Sequence, residues 1–242
     1  MTGSSLATMA WPDVSGAPTI LIPLGSFEQH GPHLPLTTDT SIATAVCSQV
    51  AERINARHEN APVLVAAAIT YGSSGEHQSF PGTVSIGQDA LATMLIELVR
   101  SLSTWAGRLI IVNAHGGNIR ALVTAVRQMR AEGHDLAWVA CATEDVDAHA
   151  GYTETSLMLH LDPQSVRLDR AVIGNVEPIS ILLDDIISGG VEAVSPSGVL
   201  GDPTHASASE GIRVLQAITD DVLDRIVANS PDQHGLLQTP TT

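Results

Sequence analysis

The chain has 242 residues and a formal net charge of −15, with 11 lysines and arginines against 26 aspartates and glutamates. Hydrophobic residues make up 44% of the chain and aromatic residues only 3%, so Ala, Val, Ile and Leu must fill a core of single-domain size. The acidic balance argues against nucleic acid and anionic membranes as partners, because both bind clustered basic residues.

Several features predict a cytoplasmic protein. No apolar run reaches the roughly 20 residues that a membrane-spanning helix needs, and the N-terminus lacks the basic and apolar regions of a signal peptide. Cys47 and Cys141 lie far apart and are expected to be reduced, partly buried thiols.

Apolar strand-like runs alternate with helix-like segments along the chain. The predicted strands cover 19–25, 62–72, 108–118 and 135–144, and the predicted helices cover 39–60, 88–107, 119–133, 153–161, 179–190 and 209–228. This alternation predicts an α/β fold, a single domain with a mostly parallel sheet flanked by helices on both faces. The domain is expected to span 18–228, between a flexible leader (1–17) and a disordered tail (229–242).

Chemically capable side chains follow each predicted strand at its carboxyl end. The groups are Glu28, His30 and Asp39; then Ser73, Ser74, Glu76 and His77; then Asn113, His115 and Asn118; and finally Glu144, Asp145, His149 and Glu154. Ligands of open parallel sheets bind outside the carboxyl ends of the strands, so these four groups are expected to meet at one site.

A metal site is the chemistry that this set of residues predicts. Mixed carboxylate and imidazole ligands suit zinc, iron(II) or manganese, and a pair of such ions can activate a water and polarise a carbonyl. Glu28 and His30 point to the same side of an extended segment, and Asp39 has two oxygens with which to bridge two cations. The glycines after His115 leave room for a ligand.

Taken singly, several of these residues could have a purely structural role. Asp39 could cap the helix that follows it, His115 could be a turn histidine, and His77 could be a solvated loop residue. His33 is expected behind the ligands or at the rim of the site, with a ligand role as the less favoured alternative. His205, in a loop rich in glycine and proline, could reach the site or could simply lead into the next helix, and a metal role for Cys47 is a remote alternative.

Four segments resemble the signature segments of the creatininase family of binuclear metal amidohydrolases, across roughly residues 19–228. They read "LGSFEQHGPHLPLTTDT", "GSSGEHQSFPGTVSI", "NAHGGN" and "HAGYTETSLML". The resemblance implies a single α/β domain, two divalent ions per subunit (Fe2+ and/or Zn2+, with Mn2+ possible) and a homo-oligomer, a hexamer or another closed ring.

The resemblance also implies residue roles. Glu28 and His115 would bind the first ion, His30 the second, and Asp39 both. Glu154 would complete the second ion's ligands or act as general base, and His149 would act on the substrate carbonyl. Ser73 or Ser74 would contact the substrate. Separately from the resemblance, we expect substrate contacts from Glu76, His77, Gly116, Gly117 and His205.

One departure from the family pattern bears on the substrate. Where creatinine hydrolases carry "HYEN", with the glutamate as a ligand, this chain has "HGGN", with Gly117 at that place. The stretch 189–211 resembles a subgroup that cleaves a modified ribosomal peptide near its C-terminus and releases a crosslinked Val-Tyr-derived dipeptide. A creatinine-type or formamide amidohydrolase is one alternative, and a non-catalytic, metal-stabilised oligomeric scaffold is another.

Overall fold

A computed structural model describes residues 4–57, 62–142 and 147–240 of the chain. Its strands are β1 (Thr19–Leu24), β2 (Val63–Val65), β3 (Arg108–Asn113) and β4 (Leu136–Ala140). Its α-helices are α1 (Thr38–Asn55), α2 (Gln88–Leu102), α3 (Ile119–Ala131), α4 (Tyr152–Leu161), α5 (Ile179–Gly189), α6 (Val191–Val194) and α7 (Ala208–Ala228). Within these ranges no helix is both long and apolar enough to cross a membrane.

The strands form one parallel sheet in the order β2-β1-β3-β4. β1 and β3 are central, and they pair along their whole length, from Thr19 opposite Arg108 to Leu24 opposite Asn113. Their carboxyl ends therefore finish side by side. The loops that carry the candidate ligands leave the sheet at this point.

Helices cover both faces of the sheet, as the sequence predicts. Side chains alternate along β1, so Leu21 packs toward α1, α4 and α7, while Ile20 and Ile22 pack toward α2 and α3. Strands buried on both faces read as continuous apolar runs, which explains why the sequence shows the sheet so clearly.

Some predicted elements are longer than the observed ones. The segment predicted as a strand over 62–72 forms only three residues of regular strand, because the chain then leaves β1 and touches it again through a single bridge between Leu24 and Ile69. α1 ends at Asn55, before the predicted end at residue 60, and residues 58–60 lie outside the described residues.

The prediction of a disordered C-terminal tail is wrong for the described residues after α7. Asn229 ends the helix in the left-handed conformation, and the chain then turns back along β4. Leu236 pairs with Trp138, and Leu237 is fully buried. At the other end, the predicted leader also makes contacts, since the main chain of Val65 donates a hydrogen bond to the carbonyl of Ser4 at 2.6 Å.

Candidate metal and catalytic site

The predicted ligands come together at the carboxyl ends of β1 and β3. Glu28 and His30 lie in the loop after β1, Asp39 in the first turn of α1, and His115 directly after β3. His149 precedes α4, whose first turn carries Glu154. All but Glu154 are buried.

Glu28 is the buried centre of the cluster. It is 0% exposed, and neither of its carboxylate oxygens has a hydrogen-bond partner among the described residues. Three imidazole nitrogens face its Oε1, those of His115 (Nδ1, 3.2 Å), His77 (Nε2, 3.3 Å) and His149 (Nδ1, 3.9 Å). A buried carboxylate without hydrogen bonds is costly unless a cation compensates it.

Asp39 lies between two of the histidines. Its Oδ1 is 3.1 Å from His30 Nε2, and its Oδ2 is 3.4 Å from His115 Nδ1. Ser26 Oγ donates a hydrogen bond of 2.7 Å to Oδ2. The carboxylate thus faces the cluster, and no side-chain capping bond is present at the start of α1, so the geometry does not favour a helix-capping role for Asp39.

Main-chain carbonyls orient two of the imidazoles. His115 Nε2 lies 3.0 Å from the carbonyl of Ser73, and His30 Nδ1 lies 3.1 Å from the carbonyl of Glu28. A carbonyl only accepts, so each of these nitrogens carries the proton. In the neutral imidazoles that a metal requires, the lone pairs of His115 Nδ1 and His30 Nε2 therefore point into the cluster.

The amide of Gln29 orients a third imidazole. Its Oε1 accepts a hydrogen bond from the main chain of Gly31 (2.8 Å), and its Nε2 donates to the carbonyl of Gly198 (3.1 Å) and to His77 Nδ1 (2.8 Å). His77 therefore carries its proton on Nε2, which points at Glu28. In this tautomer the His77 N–H faces Glu28 without forming a hydrogen bond, and His77 has no lone pair there for a metal.

Three overlapping groups of side chains bring potential ligand atoms within 4.8 Å of one another, although the third includes His77, whose lone pair points away from the cluster. They are Glu28, Asp39 and His115; His30, His149 and Glu154; and Glu28, His77 and His149. The first two groups share no residue. Asp39, in the first group, lies 3.1 Å from His30, in the second. The Glu28 carboxylate, which accepts no hydrogen bond, and the inward-facing lone pairs of the neutral imidazoles fit a bound divalent ion, and the oxygen and nitrogen donors suit zinc, iron(II) or manganese.

The same proximity shifts the pKa values. Burial opposes the charged forms of Glu28 and His115, yet their mutual attraction prevails and holds the pKa of Glu28 well below, and that of His115 well above, the ordinary values. Burial would also lower the pKa of His30, but the carboxylates of Asp39 and Glu154 raise it to about 10.

His149 and Glu154 have the properties of proton carriers. Burial, with His30 and His77 nearby, lowers the pKa of His149 well below its ordinary value, and its Nε2 donates to the carbonyl of Gln29 at 2.8 Å. Its Nδ1 thus presents a free lone pair. Burial and Asp39 raise the pKa of Glu154 to about 7, although His30 opposes this shift, so Glu154 can gain or lose a proton near neutral pH.

Glu76 occupies the space beside Gly117. A side chain at position 117 would overlap the Glu76 carboxylate, the His115 ring and the main-chain carbonyl of Ser73. Glu76 Oε1 is 3.4 Å from His115 Nε2. The site thus has a carboxylate next to the "HGGN" glycine, although it comes from the loop after β2 and faces the outer side of the His115 ring.

Other predicted site residues lie elsewhere. Ser73 and Ser74 are buried below the cleft, where Ser73 uses its carbonyl to hold His115. His205 is exposed on the turn before α7 and does not line the cleft. His33 is buried against Thr155, 2.8 Å away, and Cys47 is buried in the core. Glu144 and Asp145 lie outside the described residues.

A cleft of about 1000 Å³ opens onto the cluster. Glu76, His77, His115 and His149 lie at its base, Gly116 and Gly117 form part of its floor, and α5 forms one wall. The cleft gives a substrate access to the side chains that carry the chemistry.

Comparison with known proteins decides the family. The family profile described as "Creatininase: Creatinine amidohydrolase" matches residues 7–226. The chain belongs to the creatininase family. It is accordingly a hydrolase that acts on carbon–nitrogen bonds, as the sequence predicts.

Two relatives in this family share more than half of their aligned residues with this chain. A protein of Mycobacterium ulcerans (strain Agy99) named "Mycofactocin precursor peptide peptidase" is 55% identical over 222 residues, which cover 91% of this chain and 89% of the relative. The protein of the same name from Mycolicibacterium smegmatis (strain ATCC 700084 / mc(2)155) is 51% identical over 92% of this chain and 90% of its own length.

Solved creatininase structures share the fold. A structure titled "Creatininase Mn" has a TM-score of 0.74 and 26% identity, and covers 96% of this chain and 100% of its own. A variant creatininase described as "Zn-Zn type" has a TM-score of 0.74 and 27% identity over the same shares of the two chains. The α/β domain with its parallel sheet is therefore that of creatininases.

Proposed function

We propose that this chain is a binuclear metal-dependent peptidase that cleaves the modified mycofactocin precursor peptide near its C-terminus and releases a crosslinked Val-Tyr-derived dipeptide. The observation that carries the metal part of the proposal is the Glu28 carboxylate, buried without hydrogen bonds and faced by imidazoles. The names of the two relatives that are 55% and 51% identical support the peptide substrate.

The ligand set that we propose has two halves. Glu28 and His115 would hold one ion and His30 the other, Asp39 would contact both, and Glu154 would complete the second set of ligands unless it acts as acid or base. Iron(II), zinc and manganese all fit these donors. Ions bound there would lower the pKa of a water and polarise the scissile carbonyl.

The protein's own groups would then carry the proton. His149 has a neutral imidazole with a free Nδ1, and it would accept a proton from the attacking water. Glu154, with a pKa of about 7, would donate a proton to the leaving amine or share the role of base. His77 would direct its Nε2–H toward Glu28 and hold that carboxylate in place.

The test combines metal analysis with a cleavage assay. Protein purified without added metal is analysed for bound ions and then incubated with the crosslinked precursor peptide. We expect His30→Ala and Asp39→Ala to lose bound metal and to reduce turnover by at least about a hundredfold, while Glu97→Gln, an exposed carboxylate on α2, changes neither. Full metal content and normal turnover in both cluster variants would contradict the assignment.

A separate variant distinguishes the two roles of Glu154. If Glu154 is a ligand, Glu154→Gln lowers the metal content as well as turnover. If Glu154 is only an acid or base, the variant keeps its metal and loses turnover alone. Cleavage of creatinine or a formamide in place of the peptide would favour the alternative amidohydrolase function.

The non-catalytic scaffold is the remaining alternative. Variants that keep metal and assembly but lose turnover exclude it. We propose that the protein is cytoplasmic and forms a homo-oligomer, a hexamer or another closed ring, and light scattering measures the number of subunits directly.

A further inference from the structure

The wall of the cleft that faces the catalytic cluster is apolar, and it lies on α5. Ile179, Leu183 and Ile187 recur every four residues and so form one stripe along this helix. All three line the cleft together with Ile119, which lies at the start of α3. They remain exposed, Leu183 at 49% and Ile187 at 75%.

α5 is fixed by a neighbouring face. Leu182 and Ile186 are buried in a small cluster with Val191 and Leu200. The helix is therefore held against the domain by Leu182 and Ile186, the second of which also lines the cleft, and it presents the exposed stripe to the cleft. Ile181, on the side of the helix away from the cleft, is 63% exposed and does not line it.

Contiguous exposed apolar side chains on a soluble protein mark a binding site. The stripe and the cluster line the same cleft, which contains His115 and His149 at its base. Among the residues that line the cleft, Arg120 is the only arginine or lysine. A group held against α5 would thus lie next to the amide on which the catalytic residues act, and it would be recognised by apolar contact and not by charge.

We propose that α5 and Ile119 form a subsite for a bulky apolar or aromatic group adjacent to the scissile amide of the substrate. The subsite rests on the proposed peptidase function for its position next to the bond that is cleaved. It assigns substrate selection to a helix that contributes nothing to the ligand set.

The test measures binding and turnover separately. Binding of N-acetyl-phenylalaninamide and N-acetyl-alaninamide to chelator-treated protein is followed by saturation-transfer difference NMR. We expect the wild-type chain to bind the phenylalanine amide at least about tenfold more tightly, which is what burial of one large apolar side chain provides. Leu183→Ser with Ile187→Ser should reduce this preference to about threefold or less and lower kcat/KM for the precursor peptide about tenfold, with bound metal unchanged.

Ile181→Ser is the matched control, because it makes the same kind of change on the same helix away from the cleft. It should keep the preference and the kcat/KM. Ile187→Ser alone, at the most exposed position of the stripe, repeats the test if the double variant fails to fold.

The outcomes separate the subsite from the proposed substrate. No preference in the wild-type chain, or a preference that survives both serine variants, overturns the subsite. Dissociation of the assembled protein by the stripe variants also overturns it, since the stripe would then cover a neighbouring subunit. If the preference depends on the stripe but the wild-type enzyme does not cleave the precursor peptide, the subsite stands and the proposed substrate falls.

Discussion

At the scale of single residues, the site depends on which nitrogen of each histidine carries the proton. Carbonyl acceptors settle this for His30, His115 and His149, and in its neutral form each of these rings directs a lone pair at the cluster. His77 is the exception, because the Gln29 amide donates to it. Gln29 therefore leaves His77 without a lone pair facing the proposed metal ligands.

Replacing Gln29 should move that proton. In Gln29→Glu, a carboxylate that only accepts replaces the amide nitrogen, so the proton of His77 is expected to shift to Nδ1 and leave a lone pair facing Glu28. Long-range proton–nitrogen correlation spectra of metal-free protein identify the tautomer, and we expect turnover to fall about tenfold or more. Gln78→Glu adds the same charge on the exposed neighbour of His77. A His77 proton that stays on Nε2 in Gln29→Glu would refute the role given to Gln29.

The neighbouring glycines Gly117 and Gly116 differ in the space available for a side chain. A Cβ at position 117 would overlap the main-chain carbonyl of Ser73, which cannot rotate away, whereas a Cβ at position 116 meets nothing within 4 Å. We expect Gly117→Ala to cost roughly 1–3 kcal/mol of unfolding free energy and to lower metal affinity by displacing His115. Gly116→Ala should leave both unchanged. Urea unfolding and metal titration measure the two effects, and equal unfolding free energies for the two variants would contradict the packing argument.

At the scale of elements, the sequence predicts the strands and long helices well because the sheet is buried on both faces. The same topology explains why Glu28, His30, Asp39 and His115 could be placed together, since parallel strands end at one edge. The parts that sequence patterns miss depend on tertiary contacts. Gln29 is recognisable only once Gly198 and His77 lie beside it, and the cleft's apolar wall requires α5 to pack across from α3.

Helix α4, which carries Glu154, packs closely on α7. α4 packs on α7 where Gly211 lies against Ser156, and a Cβ at position 211 would overlap the Ser156 carbonyl. Gly211→Ala gains about 1 kcal/mol in helix propensity, but the overlap with main-chain atoms should outweigh it and destabilise the protein by about 1–2 kcal/mol net. We also expect turnover to fall because Glu154 moves with α4. Gln216→Ala, at an exposed position of α7, should lower neither stability nor turnover. A Gly211→Ala variant that is more stable and fully active would rule out close packing of the two helices at this position.

At the scale of the whole molecule, both chain ends cover the edges of an open sheet. The segment before β1 reaches β2 through Ser5 and Val65, and the segment after α7 reaches β4 through Leu236 and Trp138. Unpaired strand edges promote association with other chains, and these contacts cover them. The folded unit therefore extends beyond the predicted limits of 18 and 228. The sequence does not reveal this contact because the segment after α7 has only two leucines, Leu236 and Leu237, surrounded by polar residues.

Truncation tests whether the C-terminal segment belongs to the fold. Removing residues 230–242 deletes the fully buried Leu237 and its hydrogen bond to the Trp138 carbonyl at 2.9 Å. Loss of a buried leucine side chain typically costs 2–5 kcal/mol, so we expect the unfolding free energy to fall by about 3 kcal/mol or more and the exposed β4 edge to promote aggregation.

Removing only 239–242 should have no effect, and Leu237→Ala should reproduce much of the loss with the main chain intact. Metal content should be retained, because the ligands lie on other segments. If the chain that ends at residue 229 unfolded at the same urea concentration as the one that ends at residue 238, the C-terminal segment would contribute nothing to stability.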